Sequence, residues 1–187
     1  VVTTQRPALK GVQAGTGDRT IEPDWQARAA IQGEIRALYE SASRCRVKHD
    51  IKSAEKDLFK ILELDPNDDN AWFTLGEMAY YPAKDYAKAI KYYDKAISIN
   101  STKKHYFYRR GMAKYYLKGY ESAKDDFISA IRIDPEHAPA SLWLGSCLEN
   151  LGETDLAREN YLKAREHLAY RESVKIALKR MERREKV

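Results

Sequence analysis

The sequence lacks any long hydrophobic run, and this absence limits what the chain can be. It contains no stretch of about 18 consecutive apolar residues, the length that a membrane-spanning helix needs. Residues 1–9 lack the basic start and the apolar core of a secretory signal peptide. We therefore expect neither a transmembrane segment nor a signal peptide. Because the chain begins with Val1 rather than Met, an earlier removal of a targeting segment stays open.

The chain also lacks the short motifs of common enzymes and metal sites. It has no His-Glu-x-x-His, no Gly-x-Ser-x-Gly, no phosphate-binding Walker loop and no Cys-x-x-Cys pair. Its histidines are too scattered to supply the closely spaced ligands that zinc requires. They are His49, His105, His137 and His167. Carboxylates such as Asp126 are expected on solvated helix faces. The sequence therefore predicts a protein that is not an enzyme and that needs no cofactor or metal.

What the sequence does have is a repeat about 34 residues long. Segments that begin at Asp69, Lys104 and Ala138 carry the same small and aromatic residues at the same places. The shared positions hold Gly76, Gly111 and Gly145; Ala89, Ala123 and Ala157; Tyr93, Phe127 and Tyr161; and Ala96, Ala130 and Ala164. The pattern in each segment predicts a helix, a tight turn and a second helix. The glycines and the first set of alanines are predicted where the two helices of a pair cross closely.

This pattern resembles the tetratricopeptide repeat family over roughly residues 35–171. The resemblance implies an all-α fold, a right-handed superhelical solenoid of about four helix-turn-helix pairs with a C-terminal capping helix. The predicted repeats are about 35–68, which is degenerate, 69–103, 104–137 and 138–171. Proteins of that family are mostly binding scaffolds. The resemblance therefore implies protein–protein interaction, as a scaffold or assembly factor that binds a peptide segment or a partner subunit.

The two ends of the chain differ from the repeats. Residues 1–22 are rich in Gly and Thr without helical periodicity, which predicts a flexible or extended arm. The helical repeat domain is predicted over 23–171, with a first helix that begins near Asp24. One extra residue near Pro82 predicts a longer turn inside the second repeat. Residues 172–187 are predicted to form a basic amphipathic capping helix whose apolar stripe covers the fourth repeat.

In the family, the first helix of each pair lines a concave groove, and repeat positions 2, 5, 9, 12 and 13 face the ligand. The resemblance implies a groove for a protein or peptide partner with these residues at or beside those positions. They are Tyr39, Asn70, Phe73, Glu77, Tyr80, Tyr81, His105, Tyr108, Arg109, Met112, Tyr115, Tyr116 and Leu142. Tyrosine is common at interfaces because its ring is rigid and its hydroxyl is polar. We expect Tyr81, Tyr108 and Tyr115 to form the floor, with Arg109 beside them. The alternative is that several of these rings only pack internally.

Two other kinds of partner are less favoured. The family's clamp for chaperone C-terminal tails uses Lys, Asn, Asn, Lys and Arg at set positions, and across the first three repeats only Arg109 matches. The alternative function is an adaptor that contacts RNA or another anionic partner through the basic end. That end comprises Lys175, Lys179, Arg183 and Lys186. No RNA-binding module signature occurs, and basic residues near a helix C-terminus also arise for solvation.

The two cysteines, Cys45 and Cys147, lie about three repeats apart, which in a solenoid is beyond disulfide reach. We predict that both are packed free thiols. Free thiols weakly favour a reducing compartment, either the cytoplasm or an organelle interior.

Overall fold

The computed structural model describes residues 24–184 as a series of α-helices with no strand in that range. The helices are α1 Asp24–Val47, α2 Ile51–Leu64, α3 Asp69–Tyr80, α4 Tyr86–Ile99, α5 Lys104–Tyr116, α6 Tyr120–Ile133, α7 Ala138–Leu151, α8 Thr154–Arg165 and α9 Arg171–Arg184. A single 3-10 turn at Leu168–Tyr170 precedes α9. Helices α1 to α8 form four consecutive pairs, which stack into the all-α, right-handed superhelical solenoid that the repeat pattern predicts.

Aspartates fix the starts of three helices. The side chains of Asp50, Asp68 and Asp85 accept hydrogen bonds from backbone N–H groups in the first turns of α2, α3 and α4. The imidazole of His137 accepts one in the same way at α7. Each such bond satisfies a backbone donor that the helix itself leaves free, and so stabilises the start of the helix.

The repeated glycines lie where two helices of a pair touch, as the sequence predicts. A Cβ on Gly76 would lie 2.4 Å from the ring of Tyr93, and a Cβ on Gly145 would lie 2.7 Å from the ring of Tyr161. At Gly111 the corresponding distance to Phe127 is 2.9 Å. The aromatic residue of each second helix therefore occupies the space that any larger residue on the first helix would need.

The buried core extends along the stack of helix pairs and does not form a single central cluster. One buried cluster, around Leu58 and Leu75, joins the first pair to α3. A second and larger cluster continues from Ala79 to Met181 and includes the last helix. This continuity is what makes each pair depend on its neighbours for stability.

The turn inside the second pair is longer than the others, which confirms the prediction from the extra residue near Pro82. Five residues separate α3 from α4, whereas three separate α5 from α6 and two separate α7 from α8. The Tyr81–Pro82 peptide bond within it is cis. Tyr81, the first residue of this turn, is exposed.

The expectation that Asp126 is solvated is wrong. The residue is buried, and its carboxylate accepts hydrogen bonds from Arg110 Nε at 2.9 Å and Nη2 at 2.6 Å. Lys114 Nζ lies 2.8 Å from the same carboxylate, and Arg110 also reaches Asp94 at 2.6 Å. The carboxylate is buried because two cations on the neighbouring helix replace its water. The network joins α4, α5 and α6.

At the C-terminal end, α9 buries Val174, Ala177 and Met181 against the larger core cluster, and Leu178 is half-buried. At the other end, Trp25 is exposed. The predicted arm at 1–22 and the predicted basic residue Lys186 lie outside the described residues. Within 24–184, no helix is both long and apolar enough to cross a membrane.

Candidate partner-binding groove

The first helices α1, α3, α5 and α7 carry the predicted groove residues except Tyr81, which is the first residue of the turn after α3. Most of these residues lie at the surface. Tyr81 and Tyr116 are 53% and 46% exposed, and Asn70 and His105 are also exposed. The partly exposed members are Tyr39, Phe73, Glu77, Tyr108, Arg109, Tyr115 and Leu142.

Two predicted groove residues belong to the core instead. Tyr80 is only 1% exposed and Met112 only 6%. The ring of Tyr80 lies beneath Tyr81 and Tyr86, with ring centroids 4.4 and 5.2 Å away, because the long turn folds those two rings over it. Met112 lies in the cluster that fills the space between repeats. Neither side chain can present a surface to a partner.

An ion pair joins the first helices of the second and third repeats. Arg109 Nη2 on α5 lies 3.2 Å from Glu77 Oε2 on α3, and both side chains are largely shielded from water. The buried hydroxyl of Tyr93 on α4 donates to Glu77 Oε1 at 2.6 Å. Burial and the Glu77 carboxylate both raise the pKa of Tyr93, which keeps this hydroxyl a donor. The Glu77 contact is made by one guanidinium nitrogen, and a guanidinium has five N–H donors.

Next to this pair, Phe73 lies in a tight aromatic cluster. Its ring stacks on Tyr106 at 4.7 Å and meets the edge of His105 at 4.9 Å. Burial and the Lys103 and Arg109 cations lower the pKa of His105, so the imidazole stays neutral near neutral pH. Phe73 is therefore packed against neighbouring rings and only partly exposed, whereas His105 is exposed.

Asn70 is also partly committed to the fold. Its Oδ1 accepts hydrogen bonds from Lys103 Nζ at 3.0 Å and from the Tyr106 hydroxyl at 3.1 Å. Lys103 in turn forms an ion pair with Asp69 at 2.9 Å. The side-chain oxygen of Asn70 is therefore already bound within the fold.

Tyrosines form a rigid patch at the opposite end of α3 and α5. Tyr116 stacks on Tyr86 with a centroid distance of 5.0 Å and an interplanar angle of 11°. Tyr115 meets the edge of Trp143 at 5.0 Å, and its hydroxyl accepts a hydrogen bond from Asn150 Nδ2 at 3.2 Å. These contacts hold the rings in place, and both side chains remain at least partly exposed.

Tyr108 and Tyr39 are held by other contacts. The ring of Tyr108 lies 5.2 Å from the imidazole of His137 and 6.0 Å from the guanidinium of Arg109. The hydroxyl of Tyr39 donates to the Asp68 carboxylate at 2.6 Å. Burial and this hydrogen bond raise the pKa of Tyr39. The Tyr39 hydroxyl therefore links α1 to the start of α3, and its proton is already used in this hydrogen bond.

Sequence reasoning missed a second charged cluster, which lies between α7 and α9. The Glu149 carboxylate on α7 accepts hydrogen bonds from Arg180 Nε at 2.8 Å, Arg184 Nη1 at 3.0 Å and the Tyr161 hydroxyl at 2.8 Å. Burial acts to raise the pKa of Glu149, but the hydrogen bonds from Arg180 and Tyr161 outweigh it and the pKa is lowered. The sequence does contain a signal for this cluster: if the repeat period is continued beyond residue 171, Arg180 falls next to α7.

The predicted basic end is more exposed than this cluster. Lys175 makes one long ion pair with Glu172, at 3.7 Å, and Lys179 and Arg183 lie at the surface. Among residues 24–184, no group of three or more His, Cys, Asp or Glu side chains is arranged to hold a metal ion. Cys45 and Cys147 are both free thiols, as predicted.

Comparison with known proteins agrees with the repeat pattern. Two models of the tetratricopeptide repeat match residues 69–103 and 108–169, which together make up just over half of the chain. Heat shock protein STI1 of Saccharomyces cerevisiae is 35% identical over 106 residues, or 56% of this chain and 18% of that protein. Small glutamine-rich tetratricopeptide repeat-containing protein 2 of Mycosarcoma maydis is 40% identical over 81 residues, or 43% of this chain and 23% of that protein. The matches thus span less than a quarter of these two relatives.

A solved structure shares the fold at low sequence identity. MamA from Desulfovibrio magneticus RS-1 superposes with a TM-score of 0.75 and 20% identity, covering 82% of this chain and 86% of that one. At this identity the likeness shows the fold alone. The repeated residues, the stacked helix pairs and the two repeat models lead to one conclusion: the chain belongs to the tetratricopeptide repeat family.

Proposed function

We propose that the concave groove binds a peptide segment of a partner protein, and that the chain acts as an interaction scaffold. The observation that carries this proposal is the exposure of Tyr81 and Tyr116, each about half exposed. Isolated exposed rings are common on protein surfaces, but these belong to a connected aromatic patch. A rigid aromatic patch loses little conformational entropy on binding, which is why such residues are frequent hot spots.

Family membership supports the general role, because tetratricopeptide repeat proteins are interaction scaffolds and generally not catalysts. A chaperone C-terminal tail is not the favoured ligand. Arg109, the one residue that matches the clamp, already faces the Glu77 carboxylate, which would repel an incoming carboxylate. The favoured ligand is a segment whose aromatic or aliphatic side chains pack on the tyrosines, with a backbone carbonyl or a side-chain acceptor bound by Arg109.

The test recovers a partner protein by pull-down with the unaltered chain. It then compares the affinity of that partner for a groove variant and for a matched control. Tyr81→Ala removes an exposed ring from the groove, whereas Phe59→Ala removes an exposed ring from α2, a second helix of a pair. We expect Tyr81→Ala to weaken binding of the recovered partner by about 2 kcal/mol, as for an interface hot spot. Calorimetry would measure the affinity, and circular dichroism would verify an unchanged helix content.

Phe59→Ala should bind the partner as the unaltered chain does. Equal affinity for Tyr81→Ala and the unaltered chain would argue against a groove that binds through its aromatic patch. Binding through the patch should also depend only weakly on salt, whereas a steep loss of affinity with salt would indicate a phosphate-rich partner.

A further inference from the structure

Helix α9 docks on the fourth pair in the way that a first helix docks on the pair before it. In the second repeat, Glu77 pairs with Arg109 of the next first helix, α5. In the fourth repeat, Glu149 pairs with Arg180 of α9. Counted from the start of each repeat, Glu77 is at position 9 and Arg109 at position 6, whereas Glu149 is at position 12 and Arg180 at position 9. The arginine's position is therefore three lower than the glutamate's in both pairs.

The buried tyrosine of the second helix completes both arrangements. The hydroxyl of Tyr93 donates to Glu77 at 2.6 Å, and the hydroxyl of Tyr161, which has the same repeat position, donates to Glu149 at 2.8 Å. The last helix is therefore more than a cover for the end of the core. It occupies the place of a fifth first helix and continues the inner surface by one more helix.

The inner repeat positions can be counted into α9 on this basis. Positions 2, 5, 9, 12 and 13 of a segment that begins at residue 172 fall on Ser173, Ile176, Arg180, Arg183 and Arg184. All five side chains are exposed, including Ile176 at 65%.

This surface joins the groove of the fourth repeat without a break. A shallow pocket of about 190 Å³ is lined from α7 by Leu142, Trp143 and Ser146, and from α9 by Ser173, Ile176 and Arg180. Leu142 is one of the predicted groove residues. A segment that lies along the aromatic patch can therefore reach α9 with its next residues.

The charge of the surface is positive. It includes three arginines, Arg180, Arg183 and Arg184. The carboxylate that pairs with two of them, Glu149, has an almost fully covered side chain. Arg180 and Arg184 still expose about half or more of their side chains, at 48% and 66%. Arg183 is exposed and pairs with no carboxylate among residues 24–184. Guanidinium groups bind carboxylates with paired, charge-assisted hydrogen bonds.

We propose that α9 forms the acidic-residue subsite of the groove, where an acidic stretch of the bound peptide contacts Arg180, Arg183 and Arg184 beside Ile176. The proposal rests on the peptide-binding function proposed above and names the chemistry of the partner segment: apolar or aromatic residues followed or preceded by glutamate or aspartate. A protein segment fits better than RNA, because the exposed apolar side chain of Ile176 lies among the arginines, where an apolar side chain of a peptide can cover it.

The experiment uses the full chain and synthetic fluorescent peptides. One peptide carries leucines and phenylalanines next to a run of glutamates, with the run at either end in separate versions. A matched peptide carries glutamines in place of the glutamates. Fluorescence anisotropy should show the glutamate peptide binding about tenfold more tightly, the usual size of one charge-assisted contact. Arg183→Gln should remove most of that difference, whereas Arg165→Gln, the same change on the exposed end of α8, should keep it.

The outcomes separate this proposal from the one on which it rests. If glutamate and glutamine peptides bind equally and Tyr81→Ala weakens both, the groove stands and the acidic subsite is refuted. If none of the peptides binds the unaltered chain, both proposals are refuted. A single-stranded RNA oligonucleotide that binds more tightly than the glutamate peptide, and loses its affinity in Arg183→Gln, would assign the arginines to nucleic acid instead.

Discussion

Gly76 provides a direct test of how closely the helix pairs are packed. In Gly76→Ala, the new Cβ would lie 2.4 Å from Tyr93 Cε1 and 2.6 Å from Cδ1, well inside van der Waals contact. The ring cannot easily turn aside, because Tyr93 is fully buried and its hydroxyl is bound to Glu77 at 2.6 Å. Either α3 moves away from α4, or Tyr93 leaves its place and loses that hydrogen bond.

The magnitude follows from three contributions. Overpacking of this kind typically costs about 1–3 kcal/mol. Weakening the hydrogen bond between Tyr93 and Glu77 adds about 0.5–1.5 kcal/mol. Alanine is a better helix former than glycine, which offsets about 1 kcal/mol of this loss in stability. We expect the free energy of unfolding to fall by about 2 kcal/mol, which corresponds to a Tm about 4–8 °C lower in a chain of this size.

Urea unfolding followed by circular dichroism measures the effect as a lower midpoint at an unchanged slope. The control is Gly33→Ala in the exposed part of α1, where a Cβ would meet nothing within 4 Å. That variant should be more stable than the unaltered chain by about 0.5–1 kcal/mol, because only the helix propensity changes. If Gly76→Ala proves as stable as Gly33→Ala, the close packing of Gly76 against Tyr93 would be refuted.

Two further predictions concern titratable groups at the C-terminal part of the fold. The folded pKa of Glu149 is depressed below its ordinary value of 4.5, so its stabilising effect is present above that value and is lost as the pH falls through the lower folded pKa. Glu149→Gln should therefore lower the Tm at neutral pH and flatten its decline in acid, and equal acid-side declines in both proteins would contradict this role. Burial raises the pKa of the Cys147 thiol to about 12, so a thiol reagent should modify only Cys45 in the folded chain. Fast modification of the folded Cys45→Ser variant would show that Cys147 is accessible after all.

The helix pairs and their close contacts could be predicted from the sequence because they repeat. Gly76, Gly111 and Gly145 each face the aromatic residue of their own second helix, over a short sequence separation. A contact that is local in the chain and recurs in every repeat leaves the same signal several times. The lengthened turn near Pro82 was predictable for the same reason, since one added residue stands out against a fixed period.

The details of the candidate groove were less predictable. The repeat positions alone could not show that Tyr80 is buried, because its burial depends on contacts with Tyr81 of the long turn and Tyr86 at the start of α4. The position of Met112 likewise depends on how closely neighbouring repeats stack. Position in a repeat therefore predicts which face a residue is on, but its exposure depends on the side chains around it.

The all-α fold, the helix pairs and the close crossings at the glycines can be read from the sequence alone, because they follow from periodic residues near one another in the chain. Which carboxylates are buried, in contrast, depends on how distant helices pack together. Asp126 is buried because Arg110 and Lys114 compensate it, and Glu149 is buried because two arginines of α9, more than 30 residues later, reach back to it. A carboxylate looks the same in the sequence whether it is solvated or paired. Which state holds depends on the free energy of desolvation against the cations that the fold brings within hydrogen-bonding distance.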